Sequence, residues 1–260
     1  MKSFALLLLS LLLATPLRAD TTLVIVADNT LRAALPELTQ IWADKQPDMN
    51  VELQFTNAET MQKQIVDNKG GDVLIFANAD DLKEATKRGY ILASEQKQIA
   101  RNDLIVYGRK ALLPDEELEW FDLVAREWET LALGDPSRTA SGRAAQAALK
   151  KHDLEARVKG KETRLCGNEA AALDCARRAE VEAVFVLNTD LGKTVIDGFV
   201  AYPINRADYP GIFYIAAPTK NTKAPSAARS YIQSLAAPES LPIWTKYGFN
   251  RPDAGTVQLR

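Results

Sequence analysis

Residues 131–143 read Leu-Ala-Leu-Gly-Asp-Pro-Ser-Arg-Thr-Ala-Ser-Gly-Arg, and this stretch indicates the fold more clearly than any other. Its first three residues predict a short strand, Gly134-Asp135-Pro136 predicts a turn, and a helix is predicted over 142–152. Ser141 stands just before that helix, where a hydroxyl can cap it. A strand, a polar loop and a helix in this order form the repeating unit of α/β proteins.

The same order of strand, polar segment and helix occurs twice nearer the start of the chain. Strands are predicted over 23–27 and 51–55, and helices over 31–44 and 60–67. The polar segments between them are Asp28-Asn29-Thr30 and Thr56-Asn57-Ala58-Glu59.

The rhythm continues through the rest of the chain. Further strands are predicted over 72–77, 104–107, 183–187 and 214–217, and further helices over 80–88, 224–236 and 240–247. The run 183–187 is apolar throughout, as expected for a strand covered on both faces. The alternation therefore predicts an α/β fold with mainly parallel sheets flanked by helices.

The first nineteen residues have the layout of a secretory signal peptide. Lys2 gives a positive start, residues 4–14 are apolar except for Ser10, and Pro16 breaks the run before Ala19. A membrane anchor is the alternative, but about 20 apolar residues are needed to span a bilayer and this run is shorter. We expect cleavage after Ala19, export to the periplasm and a mature chain over 20–260.

The charges of the chain are nearly balanced, with 32 lysine and arginine residues against 34 aspartate and glutamate residues. No basic tract is present, which argues against nucleic acid as a partner. The mature length allows two domains or one large one. No later segment is apolar enough to span a membrane.

Cys166 and Cys175 are the only cysteines. In an exported chain this pair predicts one disulfide, with two buried thiols as the alternative. No metal site and no cofactor are expected, because the single histidine, His152, has no ligand spacing around it.

The three polar segments that follow strands, 28–30, 56–59 and 136–141, are the candidate binding loops. In open α/β sheets, ligands bind beyond the carboxyl ends of the strands. Helix N-termini at these ends present free N–H groups and the positive end of the helix dipole, and both suit a small anion. Helix capping alone is the alternative, since it needs the same serine, threonine and asparagine residues.

The sequence gives little support for catalysis. A histidine-centred triad is not supported, because the single histidine, His152, sits on a charged helix end. No nucleophile-elbow, zinc-protease or Walker motif is present in the sequence. Adjacent acidic pairs such as Asp80-Asp81 look like solvated helix starts. We therefore expect a binding protein and not an enzyme.

Several segments, taken in order, resemble the periplasmic molybdate-binding protein family. Residues 131–143 together with Ala148-Leu149 resemble that family's apolar strand, Gly-Asp-Pro loop and helix. The other similar segments are Gly71–Ala77 with Gly89-Tyr90-Ile91, Asn102–Val106, Tyr209-Pro210 and Tyr247–Phe249. Together they cover nearly the whole mature chain.

The resemblance implies a two-lobed periplasmic binding fold with a ligand cleft between the lobes. Lobe one would comprise 20–76 and 204–260, and lobe two 77–203. Ligand binding would close the lobes like a hinge. The closed form, a monomer, would dock on the permease of an ABC importer in the inner membrane.

The resemblance also implies a ligand set. The family binds an oxyanion with two serine hydroxyls, backbone N–H groups and a tyrosine hydroxyl. The first serine position falls on Thr30, which keeps the hydroxyl, and the backbone donor of the third loop falls at Ser141. The second serine falls near Asn57-Ala58 and the tyrosine near Leu187, so two hydroxyls are lost.

These losses leave the identity of the ligand open. Losing two donors weakens the binding of a buried oxyanion, so another small anionic or polar solute, such as an organic phosphate or carboxylate, competes with molybdate. Arg138, Arg143 and Arg164 either pair with such a group or lie in solvent. The predicted ligand-binding residues are Asn29, Thr30, Asn57, Ala58, Glu59, Arg138, Thr139 and Ser141.

Overall fold

The computed structural model describes residues 21–67, 70–77, 79–110, 119–191 and 195–252, and the predicted signal peptide lies outside the described residues. The strands of this part are β1 (Thr21–Asp28), β2 (Met49–Thr56), β3 (Val73–Phe76), β4 (Lys97–Asn102), β5 (Leu104–Arg109), β6 (Thr130–Gly134), β7 (Glu162–Cys166), β8 (Ala183–Leu187), β9 (Phe199–Pro203) and β10 (Ile212–Pro218). The helices are α1 (Leu35–Ala43), α2 (Ala58–Val66), α3 (Ala79–Lys87), α4 (Trp120–Arg126), α5 (Ala140–Lys151), α6 (Glu155–Lys159), α7 (Glu169–Arg177), α8 (Asn188–Leu191), α9 (Pro225–Ala236) and α10 (Leu241–Lys246). No helix in these ranges is both long and apolar enough to cross a membrane.

The strands form two five-stranded sheets, which confirms the predicted α/β fold with two lobes. Their orders are β2-β1-β3-β10-β4 and β7-β6-β8-β5-β9. Each sheet has two parallel and two antiparallel pairings, so the sheets are mixed and not mainly parallel. Every antiparallel pairing involves β5 or β10, the strand that follows each crossing between the lobes, because a strand that enters from the other lobe runs against its neighbours.

Each sheet is covered by helices on both faces. In the first lobe, Leu35 of α1, Tyr231 of α9 and Trp244 of α10 pack on one face, and Met61 of α2 and Leu82 of α3 pack on the other. The second sheet is covered by α4, α5 and α6 on one face and by α7 on the other. Burial on both faces explains why β8 is apolar throughout.

The boundary between the lobes differs from the sequence-based prediction. Residues 77–102 were expected in lobe two, but α3 packs on the first sheet and β4 is its edge strand, paired with β10. Lobe two therefore begins after Asn102. No strand was predicted here, because β4 is rich in polar residues. Two of them, Arg101 and Asn102, are nevertheless buried.

A single residue, Asp103, connects β4 of the first sheet to β5 of the second. Its carboxylate accepts hydrogen bonds from Arg206 Nε at 3.0 Å and Nη2 at 2.8 Å, and from Asn250 Nδ2 at 2.7 Å. Arg206 lies on the return crossing between β9 and β10. The two crossings are therefore held together by one charged side chain.

The start of α1 also differs from the prediction. The helix expected from Leu31 begins at Leu35 and is preceded by a short 3₁₀ helix, Asn29–Arg32. Pro36 lies in the first turn of α1, where its missing N–H costs no helical hydrogen bond. The 3₁₀ helix begins at Asn29, directly after β1 ends at Asp28, so its first amides lie at the end of that strand.

The predicted disulfide is not present, and the structure has two thiols instead. Cys166 at the end of β7 and Cys175 in α7 are both buried, and their Sγ atoms lie 3.9 Å apart. A disulfide requires about 2.0 Å. The sequence correctly suggested that the two residues are neighbours, but the sulfurs are not within bonding distance. Burial, the largest cause, raises the pKa of the Cys166 thiol to about 11.

We expect Cys166 to react slowly while the protein is folded, because only the thiolate is nucleophilic and a raised pKa leaves little of it at neutral pH. In the Cys175→Ser variant, alkylation of Cys166 by iodoacetamide at neutral pH should be on the order of 100-fold slower in the folded protein than in urea. Labelling is followed by mass spectrometry. Equal rates in the two states would contradict a buried thiol.

Gly71 is required at the turn before β3. Its φ is +70°, and a Cβ atom there would lie 2.8 Å from the carbonyl oxygen of Val24. Gly198 has a similar φ of +74° but no atom within 4 Å of the added carbon. Gly198→Ala should lower the free energy of unfolding by about 1 kcal/mol through the left-handed backbone alone, and Gly71→Ala by about 1–3 kcal/mol more through the clash. Urea denaturation of both variants tests this, and equal losses would contradict it.

Candidate binding cleft between the lobes

The carboxyl ends of the parallel strands of both sheets open into one cleft of about 930 Å³. From the first lobe it is lined by Asp28, Asn29, Thr30, Asn57, Glu59, Gln62, Ala77, Asp80 and Asp81. From the second lobe it is lined by Ser137, Arg138, Thr139, Ala140, Arg143, Gly167, Asn168, Ala170 and Asp190. The three loops that the sequence selected therefore face one shared space, as expected for ligand sites at strand ends.

At the end of β1, Asp28 uses both hydrogen-bond donors of Thr30. The carboxylate Oδ1 of Asp28 accepts from the Thr30 amide at 2.9 Å and from the Thr30 hydroxyl at 2.6 Å. The Asn29 side chain accepts from Arg32 Nη2 at 3.1 Å. The hydroxyl expected to bind an oxyanion is thus already bonded to an anion of the protein itself.

At the end of β2, Asn57 caps α2, since its Oδ1 accepts from the Thr60 amide at 2.8 Å. The helix begins at Ala58, and Glu59 lies in its first turn with an exposed ion pair to Lys63 at 2.8 Å. The pKa of Glu59 is lowered mainly by its hydrogen bond to Lys63, and also by Arg138. Glu59 and Arg138 line the cleft from opposite lobes.

At the end of β6, Thr139 caps α5. Its hydroxyl accepts from the Gly142 amide at 3.0 Å and donates to the carbonyl oxygen of Asp135 at 3.0 Å. The following amide, that of Ala140, belongs to the first helical turn, where N–H groups have no partner within the helix. No acidic residue lies in the first turn of α5. This helix therefore presents an uncompensated positive end to the cleft.

Two arginines strengthen the positive character of this wall. Arg138 precedes the cap and is exposed. The pKa of Asp135 is lowered mainly by its hydrogen bonds from Ser137, and the charge of Arg138 lowers it further. Arg143 is half-buried one turn into α5, with Nη1 3.4 Å from the carbonyl oxygen of Pro136. Arg164, the third arginine considered from the sequence, instead pairs with Glu180.

Ser141 does not contribute its side chain to the cleft. It is fully buried, and a Cβ atom built on Gly134 would lie 2.8 Å from its hydroxyl oxygen. The helix begins at Ala140 and not at Gly142, so the backbone N–H of Ser141, the donor that the resemblance implies, lies in its first turn; its role in binding stays a prediction. The exposed positions of this loop are Ser137 and Arg138.

A buried tyrosine lies beneath the cleft. Asn102 Nδ2 donates to the Tyr214 hydroxyl at 3.3 Å and to Thr189 Oγ1 at 2.9 Å, and so joins the two lobes. Burial raises the pKa of Tyr214 well above its usual range, and the carboxylates of Asp28 and Asp190 raise it further. Both carboxylates line the cleft, Asp28 from the first lobe and Asp190 from the second.

Sequence reasoning missed five polar residues in the lining: Gln62, Asp80, Asp81, Asn168 and Asp190. Asn168 caps α7 after β7, and Asp190 accepts from the Leu187 amide at 2.9 Å after β8. The signal that could have found both was again polar residues directly after a strand. The strand β7 itself was not recognised, however, since its Glu-Thr-Arg-Leu-Cys sequence is mostly polar.

The single histidine lies at the other end of α5. His152 follows the last residue of that helix, and its Nε2 is 3.0 Å from Asp208 Oδ2. Its ring stacks on Phe121 at 4.5 Å between centroids. These contacts attach the C-terminal end of α5 to its surroundings, whereas the N-terminal end of the helix faces the cleft.

Removing the cap of α5 should destabilise the wall that carries Arg138. Thr139→Val keeps the branched shape but loses the acceptor for the Gly142 amide, so we expect a loss of about 1 kcal/mol in the free energy of unfolding. Thr139→Ser keeps the hydroxyl and should retain most of the stability. Urea denaturation of both variants checks this. A valine variant as stable as the serine variant would contradict the capping role.

Comparison with known proteins agrees with the fold and the cleft. The chain is 24% identical over 247 residues to YvgL of Bacillus subtilis, whose name describes an ABC transporter substrate-binding lipoprotein, with 91% of this chain and 89% of that protein covered. It is 24% identical over 237 residues to the molybdate-binding protein ModA of Haemophilus influenzae, with 89% and 91% covered.

The periplasmic molybdate-binding protein of Azotobacter vinelandii has a similar structure. Its TM-score is 0.72 at 19% identity, with 88% of this chain and 99% of that chain covered. At this identity the likeness shows the fold alone. A family model described as bacterial extracellular solute-binding protein matches residues 23–250, nearly all of the described chain. The resemblance seen in the sequence is thereby confirmed, and the chain belongs to the bacterial extracellular solute-binding protein family.

Proposed function

We propose that this protein is the substrate-binding component of an ABC importer, which captures a small solute between its lobes and delivers it to a membrane permease. The family match and the names of the two relatives support this role. The architecture also supports it, since the lobes are joined by two short crossings and can close on a ligand by a hinge motion.

The proposed solute carries an anionic group that binds at the N-terminus of α5. The observation that carries this proposal is the combination, on one wall of the cleft, of a helix start without an acidic residue and the guanidinium groups of Arg138 and Arg143. Backbone amides and guanidinium groups are the donors that hold oxyanions, phosphates and carboxylates in proteins.

Molybdate is the simplest solute of this kind, and two of the similar proteins are named for it. One observation favours a second candidate, an organic phosphate or carboxylate. Asp28 already holds both donors of Thr30, so a bare oxyanion would lack the hydroxyl and amide that the family provides there. The cleft, at about 930 Å³, is at the upper end of the range for pockets of drug-sized ligands.

The proposal includes the place of action. The first nineteen residues direct export and are removed after Ala19, so the mature protein acts in the periplasm as a monomer that meets its permease at the membrane. Mass spectrometry of the mature N-terminus and gel filtration test these two points. An N-terminus at Met1 or a dimer at micromolar concentration would contradict them.

Calorimetry tests the anionic group. Molybdate, tungstate, sulfate, simple organic phosphates and carboxylates are titrated into the wild type and into Arg138→Ala. Loss of one charge-assisted contact should weaken binding by about tenfold or more. Arg157→Ala, which removes an exposed arginine from α6 away from the cleft, is the matched control and should leave affinity unchanged.

Two results would contradict the proposal. One is the absence of binding by every anion in the panel. The other is an equal affinity of the Arg138→Ala and Arg157→Ala variants for the anion that binds, because the anionic group would then lie away from the α5 wall.

A further inference from the structure

The charges that line the cleft are divided unequally between its two walls. The described lining residues of the first lobe include four carboxylates and neither lysine nor arginine: Asp28, Glu59, Asp80 and Asp81. Both lining arginines, Arg138 and Arg143, lie on the second lobe, which contributes one carboxylate, Asp190. A solute that fills the cleft therefore meets a strongly negative wall on the first lobe and the only lining arginines of the described residues on the second.

The carboxylates of the first lobe occupy the helix starts that an anion would otherwise use. Asp28 caps the 3₁₀ helix through the Thr30 amide. Glu59 lies in the first turn of α2, and Asp80 and Asp81 lie in the first turn of α3. Each negative charge compensates the positive end of its helix, so none of the described helix starts that line the cleft from the first lobe keeps an uncompensated positive end.

Surface lysines do not remove this negative character. Lys63 pairs with Glu59 and Lys83 lies 3.8 Å from Asp80, but both pairs are largely exposed, and exposed pairs of this kind are weak. Asp28 and Asp190 line the cleft from the two lobes, and both carboxylates raise the pKa of the buried Tyr214. An anion placed between Asp28 and Asp190 would be repelled by both carboxylates, whereas a cation would be attracted by both.

On these grounds we propose that the solute is a zwitterion, with its anionic group on Arg138, Arg143 and the N-terminus of α5, and a cationic group such as an ammonium on the carboxylates of the first lobe. This inference rests on the proposed function and narrows its ligand class. It predicts that bare oxyanions bind more weakly than zwitterions, because an oxyanion has no cationic group for the four carboxylates of the first lobe to bind.

Matched probes test the inference by adding or removing one charge. The first triad is phosphoethanolamine, ethyl phosphate and ethanolamine, and the second is β-alanine, propanoate and propylamine. Molybdate and the anions named above are measured beside them by calorimetry and thermal shift. In at least one triad the zwitterion should bind at least tenfold more tightly than either singly functional partner, and more tightly than molybdate.

Variants of the first lobe show where the cationic group binds. Asp28→Asn keeps an acceptor for Thr30, and the Asp80→Asn/Asp81→Asn double variant changes helix-start residues at the rim of the cleft. At least one of them should reduce the preference for the zwitterion over its anionic partner fivefold or more. Glu52→Gln, on the exposed edge strand β2 outside the cleft, is the matched control and should keep the preference of the wild type.

The outcomes separate the inference from the function on which it rests. Tight binding of molybdate or of a simple organic anion, with no gain from the added amine, overturns the zwitterion and leaves the receptor role intact. A zwitterion preference that survives both carboxylate variants also overturns the inference. If no probe and no anion binds, both proposals fail.

Discussion

The cleft depends on how the chain passes between its two sheets. One residue, Asp103, connects β4 to β5, and Arg206 on the return crossing binds the Asp103 carboxylate. Because both crossings meet at this side chain, the two lobes are joined there with their strand ends opposed. The ends of six strands therefore open into one space, and residues far apart in the sequence become neighbours there.

The same constraint gives the cleft its electrostatic character. Helices that follow parallel strands start at the same edge of a sheet, so their positive ends converge on the cleft from both lobes. The chain compensates these ends in the first lobe with Asp28, Glu59 and the pair at 80–81, and leaves the start of α5 uncompensated. Family membership gives the general role of the protein. The unequal compensation of the helix ends instead affects which solute the cleft can bind.

Local sequence patterns predicted much of the fold. The strand 183–187 was predicted with its observed bounds, and most other predicted elements differ by one to three residues at an end. The strands β4, β7 and β9 were missed. For β4 and β7 the reason is that both are edge strands. An edge strand pairs with a neighbour on one side only and need not be apolar. For the same reason the lobe boundary was placed too early, at residue 77, although the chain crosses at Asp103.

Without coordinates, the sequence identified the class of protein and the loops that line its cleft, because strand, cap and helix signals are local and each depends on a few neighbouring residues. It did not determine that Asp28 accepts both hydrogen bonds that Thr30 can donate, or that the Ser141 side chain is buried. Nor did it determine that the sulfur atoms of Cys166 and Cys175 lie 3.9 Å apart without a bond. These facts depend on the distances between packed elements. The tertiary structure alone decided them, since a shift of one residue in a helix start or of about 2 Å between two sulfurs changes the chemistry of a site but leaves the local pattern unchanged.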